Sequence, residues 1–178
     1  MTAQPDFATE IGEGFAGNGA NAAHINSVLG LRDGPVGTAF ATALAQPSPG
    51  HVPFLAVWAP NVPLEPPTLF VNKATIINDQ HGSLTWGAAQ AGVAAGVTEY
   101  VAARFTQPDT SRLALIVAVW VNPEANDADE VFVNNRDASA AALARGHSDV
   151  AGRSISGTAI EAFTSGLRPF NPYYTPRS

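Results

Sequence analysis

Two residues stand out because their chemistry suits a reactive or binding site. Lys73 is the only lysine among 178 residues, and His24 follows a glycine-rich turn. An imidazole titrates near neutral pH and transfers protons, and an ammonium offers three rotatable hydrogen-bond donors. The alternatives are a half-buried strand histidine and a lysine that reaches solvent from a strand end. The other histidines are expected to have surface or capping roles: His51, His81 and His147.

Lys73 lies in an apolar run, residues 68–77, whose composition predicts a β-strand. Because side chains alternate between the two faces of a strand, Lys73 and Thr75 are predicted to point the same way. A following helix that covers this face would bring Gln90 to them. That helix is predicted from residues that recur at three-to-four spacing along one stripe, apolar except for Gln90: Trp86, Gln90, Val93, Val97 and Val101. A few polar groups among aliphatic ones are typical of a small-molecule site.

The composition indicates a globular protein that binds neither nucleic acid nor membranes. Apolar residues make up 46% of the chain and charged residues 13%, which suits a packed core. The formal charge of −6 and the lack of basic runs provide no attraction for a phosphate backbone. A cytoplasmic protein is expected, because the sequence has neither a signal-peptide pattern nor a membrane-spanning run. No metal site is predicted, since cysteine is absent and the histidines lack zinc-ligand spacing.

The hydrophobic pattern predicts one domain over residues 1–178, with an N-terminal tail at about 1–8 and an irregular tail at about 154–178. Strands are predicted at 7–15, 22–29, 52–58, 68–77 and 112–121, and helices at 35–44, 79–105 and 127–145. The first two strands form a hairpin. The last strand is apolar nearly throughout, which predicts cover on both faces. Strands grouped with helices on one side favour an α+β fold over a doubly wound sheet.

Seven segments between about residue 10 and residue 95 carry a family pattern, in order and without gaps: Gly12–Gly19, Ala22–Ile25, Gly34–Phe40, Gly50–Val57, Ala59–Asn61, Thr68–Thr75 and Gly87–Val93. They resemble the formaldehyde-activating enzymes. The similarity continues more loosely through 117–125.

The resemblance implies an activity, a fold and an assembly. The family condenses formaldehyde with the two amine nitrogens of tetrahydromethanopterin, which gives methylene-tetrahydromethanopterin and water. Its fold is a two-layer α/β sandwich similar to the second domain of a small-subunit ribosomal protein, S5, and it assembles as a homopentamer with sites between subunits. His24 matches the proton donor. The positions implied to bind the pterin are Asn26, Leu55, Lys73, Thr75 and Gln90.

Asn26 departs from the family pattern, which has an aspartate two residues after the histidine. An amide keeps the size and an acceptor oxygen but loses the charge that favours a protonated histidine. The alternative hypothesis is therefore a non-catalytic homologue that binds a pterin or a formaldehyde adduct as a carrier or sensor. A structural pentamer with a vestigial pocket is a third possibility.

Overall fold

The computed structural model describes residues 7–105, 109–150, 163–166 and 168. The predicted tails, 1–8 and 154–178, lie largely outside the described residues. The strands are β1 (Glu10–Ala16), β2 (Ala23–Leu31), β3 (Phe54–Leu55), β4 (Val57–Ala59), β5 (Val62–Pro63), β6 (Thr68–Asn72) and β7 (Leu113–Val121). The helices are α1 (Pro35–Ala45), α2 (Asp79–Ser83), α3 (Gln90–Arg104) and α4 (Ala128–Val150), and a π-helical segment, Leu84–Ala89, joins α2 to α3.

Five strands form one sheet in the order β1-β2-β7-β6-β3. Strands β6 and β7 are parallel, and the other neighbours in this sheet are antiparallel. Strands β4 and β5 pair separately as a short ribbon. The mixture of an antiparallel hairpin with helices packed on the sheet confirms the predicted α+β class.

The sheet has one face turned to α3 and α4, here called the inward face, and an opposite outward face. Inward side chains such as Ile25 and Val117 belong to the same buried cluster as Val93 and Val97 of α3. Every second residue in the later part of the central strand β7 lies on the outward face and is partly exposed. The prediction that β7 is covered on both faces is therefore wrong from Ile116 to the end of the strand, whereas Ala114 near its start is buried. The partly exposed outward residues of β7 are Ile116, Ala118 and Trp120.

Helix α4 lies directly on β1 because the inward face of that strand carries glycine. A side chain added at Gly12 or Gly14 would collide with backbone atoms of α4, at Ala142 and Ala138 respectively. Since packed interiors leave no room for such atoms, the small residues set the distance between helix and strand. The contact between α4 and β1 is thus built from alanine and glycine.

The region predicted as one helix, residues 79–105, consists of α2, the π-helical segment and α3. The predicted apolar stripe is confirmed at Val93, Val97 and Val101, which are buried. Trp86 departs from it and is 52% exposed, because the wider π turn changes the direction of the side chains that follow α2. His81 is buried, and its ring contacts the Val121 carbonyl at 3.1 Å, so the surface role predicted for it is wrong.

Candidate functional site

The hairpin of β1 and β2 brings two pairs of outward residues together. In the strand register Glu13 lies opposite Asn26, and Phe15 lies opposite His24. Directly opposed residues of antiparallel strands share a face of the sheet, so their side chains touch. The Phe15 and His24 rings stack, with centroids 4.1 Å apart and planes 12° from parallel. This stacking fixes the plane of the imidazole.

Four polar side chains on the outward face form a closed ring of contacts, here called the polar cluster: Glu13, His24, Asn26 and Lys73. The Lys73 ammonium donates to Asn26 Oδ1 at 2.8 Å and lies 3.4 Å from His24 Nδ1. Asn26 Nδ2 donates to Glu13 Oε1 at 3.3 Å, and His24 Nε2 lies 2.7 Å from the same oxygen. These contacts bring together three of the predicted site residues, His24, Asn26 and Lys73.

The partners of His24 determine where its proton sits in the neutral ring. A carboxylate only accepts hydrogen bonds and an ammonium only donates them. His24 Nε2 therefore carries the proton and donates to Glu13, while Nδ1 accepts from Lys73. The side chain of His24 is 25% exposed, so the imidazole is held by its neighbours and still reaches solvent.

Lys73 holds its charge in a partly buried place. Burial disfavours the charged amine and lowers the pKa of Lys73 below its ordinary value, and the Glu13 carboxylate raises that pKa in part. The backbone N–H of Lys73 donates to the Val119 carbonyl at 2.8 Å, which fixes the residue against β7. The lysine is thus an anchored donor in the site and not a side chain free in solvent.

Thr75 does not lie beside Lys73. Strand β6 ends at Asn72, whose side-chain amide donates to the carbonyls of Gly50 and Ala74 and turns the chain. The strand predicted to continue to residue 77 is therefore wrong after residue 72, and so is the shared face of Lys73 and Thr75. The Thr75 hydroxyl instead contacts His51 Nε2 at 2.9 Å. His51 holds this turn, since its Nδ1 contacts the Asn72 carbonyl at 3.0 Å.

Two other predicted residues, Leu55 and Gln90, line a cavity of about 470 Å³, here called the apolar cavity. The Gln90 amide donates to the Val57 carbonyl at 2.9 Å, which joins the start of α3 to strand β4 of the short ribbon. Leu55 and Trp86 are 44% and 52% exposed there. The expectation that a helix brings Gln90 over Lys73 is wrong, because α3 packs against the inward face. The remaining lining residues are Val52, Phe54 and Val57.

Glu13, Phe15 and Trp86 border the site, but their residue types and spacing alone did not single them out. A signal for the first two existed in the hairpin. A register that sets Phe15 opposite His24 also sets Glu13 opposite Asn26, two positions back along each strand. Trp86 lay on a predicted buried stripe, and only the π turn exposes it. No comparable signal marks a π turn in the sequence.

Two kinds of sequence comparison agree on the family. The sequence model of the formaldehyde-activating enzyme family matches residues 11–151. A 5,6,7,8-tetrahydromethanopterin hydro-lyase of Methanosarcina barkeri (strain Fusaro) is 41% identical over 136 residues, which are 76% of this chain and 76% of the relative. The chain belongs to the formaldehyde-activating enzyme family.

Other relatives contain the formaldehyde-activating unit within longer proteins. The bifunctional enzymes Fae/Hps of Methanosphaerula palustris and Methanosphaera stadtmanae are 38% and 39% identical over 137 residues. The matched region is 76% of this chain and about a third of each of those proteins, at 35% and 34%. The matched span in this chain includes both the polar cluster and the apolar cavity.

Two properties of the described residues bear on cofactors and location. Among residues 7–105, 109–150, 163–166 and 168, no three histidine, aspartate or glutamate side chains gather closely enough to hold a metal ion. No helix in the same part of the chain has the length and apolar character needed to cross a membrane.

Proposed function

We propose that this chain condenses formaldehyde with tetrahydromethanopterin to give methylene-tetrahydromethanopterin and water. One amine nitrogen of the pterin attacks the formaldehyde carbon and forms a carbinolamine. The hydroxyl group then leaves as water, and the second amine nitrogen attacks the resulting iminium carbon and loses its proton. Two N–H bonds and the C=O bond are thereby replaced by two N–C bonds and one water molecule.

The observation that carries this proposal is the placement of His24 in the polar cluster. The carbinolamine hydroxyl leaves only when it is protonated, and a placed imidazole is suited to that step near neutral pH. His24 has a carboxylate at Nε2 and an ammonium near Nδ1, so proton-exchanging groups surround it. The reaction needs no oxidant or reductant, because the formaldehyde carbon keeps its oxidation state when its bonds to oxygen are replaced by bonds to nitrogen.

The apolar cavity is proposed to receive the pterin ring system. Its volume, about 470 Å³, lies within the range of small-molecule sites, roughly 300–1,000 Å³. Leu55 and Trp86 provide apolar contact area, and Gln90 provides a polar group at the wall. An exposed indole can stack on an aromatic ring, so the exposed Trp86 suits a contact with the pterin. Lys73 and Thr75 are proposed to bind polar groups of the same ligand.

The proposed assembly is a homopentamer, in which one subunit provides the polar cluster and its neighbour provides the apolar cavity. Large apolar side chains are exposed at both edges of the sheet: Ile11 on β1, and Val52, Leu55, Trp58, Val62 and Trp86 in the region of β3 to β5 and the apolar cavity. Those that line the apolar cavity, Val52, Leu55 and Trp86, form an exposed apolar group of the kind found at subunit contacts. The cytoplasmic location expected from the sequence stays a prediction.

Mixed assemblies test whether the site is shared between subunits. Coexpression of His24→Asn and Gln90→Ala chains, each inactive alone, gives about a quarter of the interfaces both native side chains when mixing is random. Activity of about a quarter of wild type supports the shared site. Activity no higher than that of either variant places both residues in one subunit. Native mass spectrometry of the same samples measures the number of subunits.

The reaction itself is tested with purified protein, formaldehyde and tetrahydromethanopterin. Methylene-tetrahydromethanopterin formation is followed against the uncatalysed condensation at the same concentrations. A rate above that background supports the proposal, and the His24→Asn chain is the matched control. A wild-type rate equal to the background rejects it.

The carrier or sensor hypothesis rested on the charge that Asn26 lacks. The Glu13 carboxylate lies within hydrogen-bonding distance of both Asn26 and His24, so a negative charge is present beside the histidine.

A further inference from the structure

Glu13 is the carboxylate of the polar cluster. One of its oxygens, Oε1, accepts from His24 Nε2 at 2.7 Å and from Asn26 Nδ2 at 3.3 Å. Its side chain is 51% exposed, so the contact with His24 is not a buried ion pair that holds the fold together. An exposed glutamate that makes two contacts with proposed site residues has a position better explained by the reaction than by stability.

Asn26 is matched to this glutamate. An asparagine amide both accepts and donates, whereas an ionised aspartate only accepts. Asn26 uses both abilities, since its oxygen accepts from Lys73 and its nitrogen donates to Glu13. An aspartate at position 26 would lose the second contact and place two negative charges at hydrogen-bonding distance, which is unfavourable for both.

We propose that Glu13 is a positioning residue that supplies the negative charge beside His24 that position 26 lacks in this chain. Glu13 accepts the Nε2–H of His24 and, together with the stacked Phe15 ring, fixes the orientation of the imidazole. Asn26 links Glu13 to Lys73, so that the ammonium and the carboxylate hold the imidazole from both nitrogens. This inference rests on the proposed function for its kinetic test and on geometry alone for its spectroscopic test.

Four variants of the full chain provide the kinetic test in the formaldehyde and tetrahydromethanopterin assay. Glu13→Gln is expected to lower kcat about 10- to 100-fold, at or below the lower end of the roughly 10²–10⁴-fold that a placed imidazole contributes, with little change in KM. Asn26→Asp alone is expected to give no gain. The double variant Glu13→Gln with Asn26→Asp returns the carboxylate to the cluster and is expected to recover most of the lost kcat. Glu124→Gln, an exposed glutamate in the loop before α4, is the matched control and stays at the wild-type rate.

Several results would overturn the inference. An unchanged kcat in Glu13→Gln removes any role for the carboxylate. A double variant as slow as Glu13→Gln shows that the charge is not what matters. A large gain in Asn26→Asp alone shows that Glu13 does not supply the missing charge. These outcomes differ from failure of the proposed function, in which the wild-type chain itself does not exceed the uncatalysed rate.

A measurement independent of activity tests the same geometry. In protein labelled with ¹⁵N-histidine, the ring signals of His24 are identified by their loss in His24→Asn. At a pH where the ring is neutral, the contacts require the proton on Nε2, which faces Glu13, and a bare Nδ1, which faces Lys73. Nitrogen shifts of that tautomer support the inference. A His24 ring that carries its proton on Nδ1 overturns it, whether or not the protein is active.

Discussion

The two faces of β1 each carry a glutamate, and the two glutamates have different surroundings. On the inward face Glu10 is 4% exposed and both of its oxygens bind the Arg104 guanidinium, at 2.6 and 2.7 Å. On the outward face, three residues along the same strand, Glu13 is half exposed and binds an imidazole and an amide. One glutamate is locked in a buried ion pair, and the other stands among groups that can exchange protons.

The difference shows how burial and partner decide what a carboxylate does. Arginine stays charged at all ordinary pH values and offers a planar pair of donors, which suits a permanent contact. Burial lowers the pKa of Arg104, but the contacts with Glu10 and Tyr100 raise it by a larger amount, so this pKa lies above its ordinary value and the guanidinium stays charged. Histidine and lysine change charge more readily, so the contact between Glu13 and His24 on the outward face suits proton transfer. The inward face is therefore expected to respond to mutation in stability and the outward face in rate.

The largest expected effect is on the outward face. His24→Asn is expected to lower kcat by about 10²–10⁴, the usual contribution of a placed imidazole, with little change in thermal unfolding. The matched control is His147→Asn, because the His147 ring contacts Glu10 of the inward face at 3.2 Å. This control is expected to keep the wild-type kcat. Equal losses of kcat in both variants would contradict the assignment of the reaction to the outward face.

The inward pair gives the next effect. Glu10→Gln leaves the Arg104 guanidinium without its counter-charge and is expected to reduce the free energy of unfolding by about 2–4 kcal/mol, since breaking a buried ion pair is costly. Urea unfolding measures this change. Glu13→Gln, the same substitution on the other face, is expected to change that free energy by about 1 kcal/mol at most. A Glu13 variant as unstable as the Glu10 variant would contradict the comparison.

The sequence predicted the order of the long elements and part of the site, but not the point at which β6 ends. The order of the long elements followed from hydrophobic period and from the proline and glycine residues between them, because burial of one face imposes that period. The placement of His24 and Asn26 on one face of β2 could also be predicted, since residues two apart in a strand share a face. The end of β6 did not, because it depends on Asn72 bonding to Gly50, 22 residues away in the chain. Contacts between distant residues leave no periodic signal.

The third effect is smaller and also concerns the inward face, where α4 lies close to β1. Gly14→Ala places a methyl group against the backbone of α4 at Ala138 and is expected to cost about 1–3 kcal/mol of unfolding free energy. Gly87→Ala is the control, because a side chain there meets nothing within 4 Å. That variant is expected to be neutral or slightly stabilising, since alanine is favoured over glycine in helical segments. Equal stability of the two variants would show that α4 can move away from the strand.

The smallest effect is a pH dependence on the outward face. The folded-state pKa of Lys73 lies below the ordinary 10.5 because burial disfavours the ammonium, an effect that Glu13 offsets in part. Between the lowered pKa and 10.5 the unfolded chain binds more protons than the folded chain, so this residue makes the free energy of unfolding rise with pH. Below that window the cost of burying the charge is present in full. Lys73→Met removes the rise, so wild type is expected to gain stability relative to this variant as pH increases towards 10.5 in urea unfolding.

Glu13→Gln is expected to widen this pH window towards lower pH, because the charge that raises the Lys73 pKa is gone. A difference between wild type and Lys73→Met that stays constant with pH would mean that the ammonium is as well solvated in the folded chain as in the unfolded one.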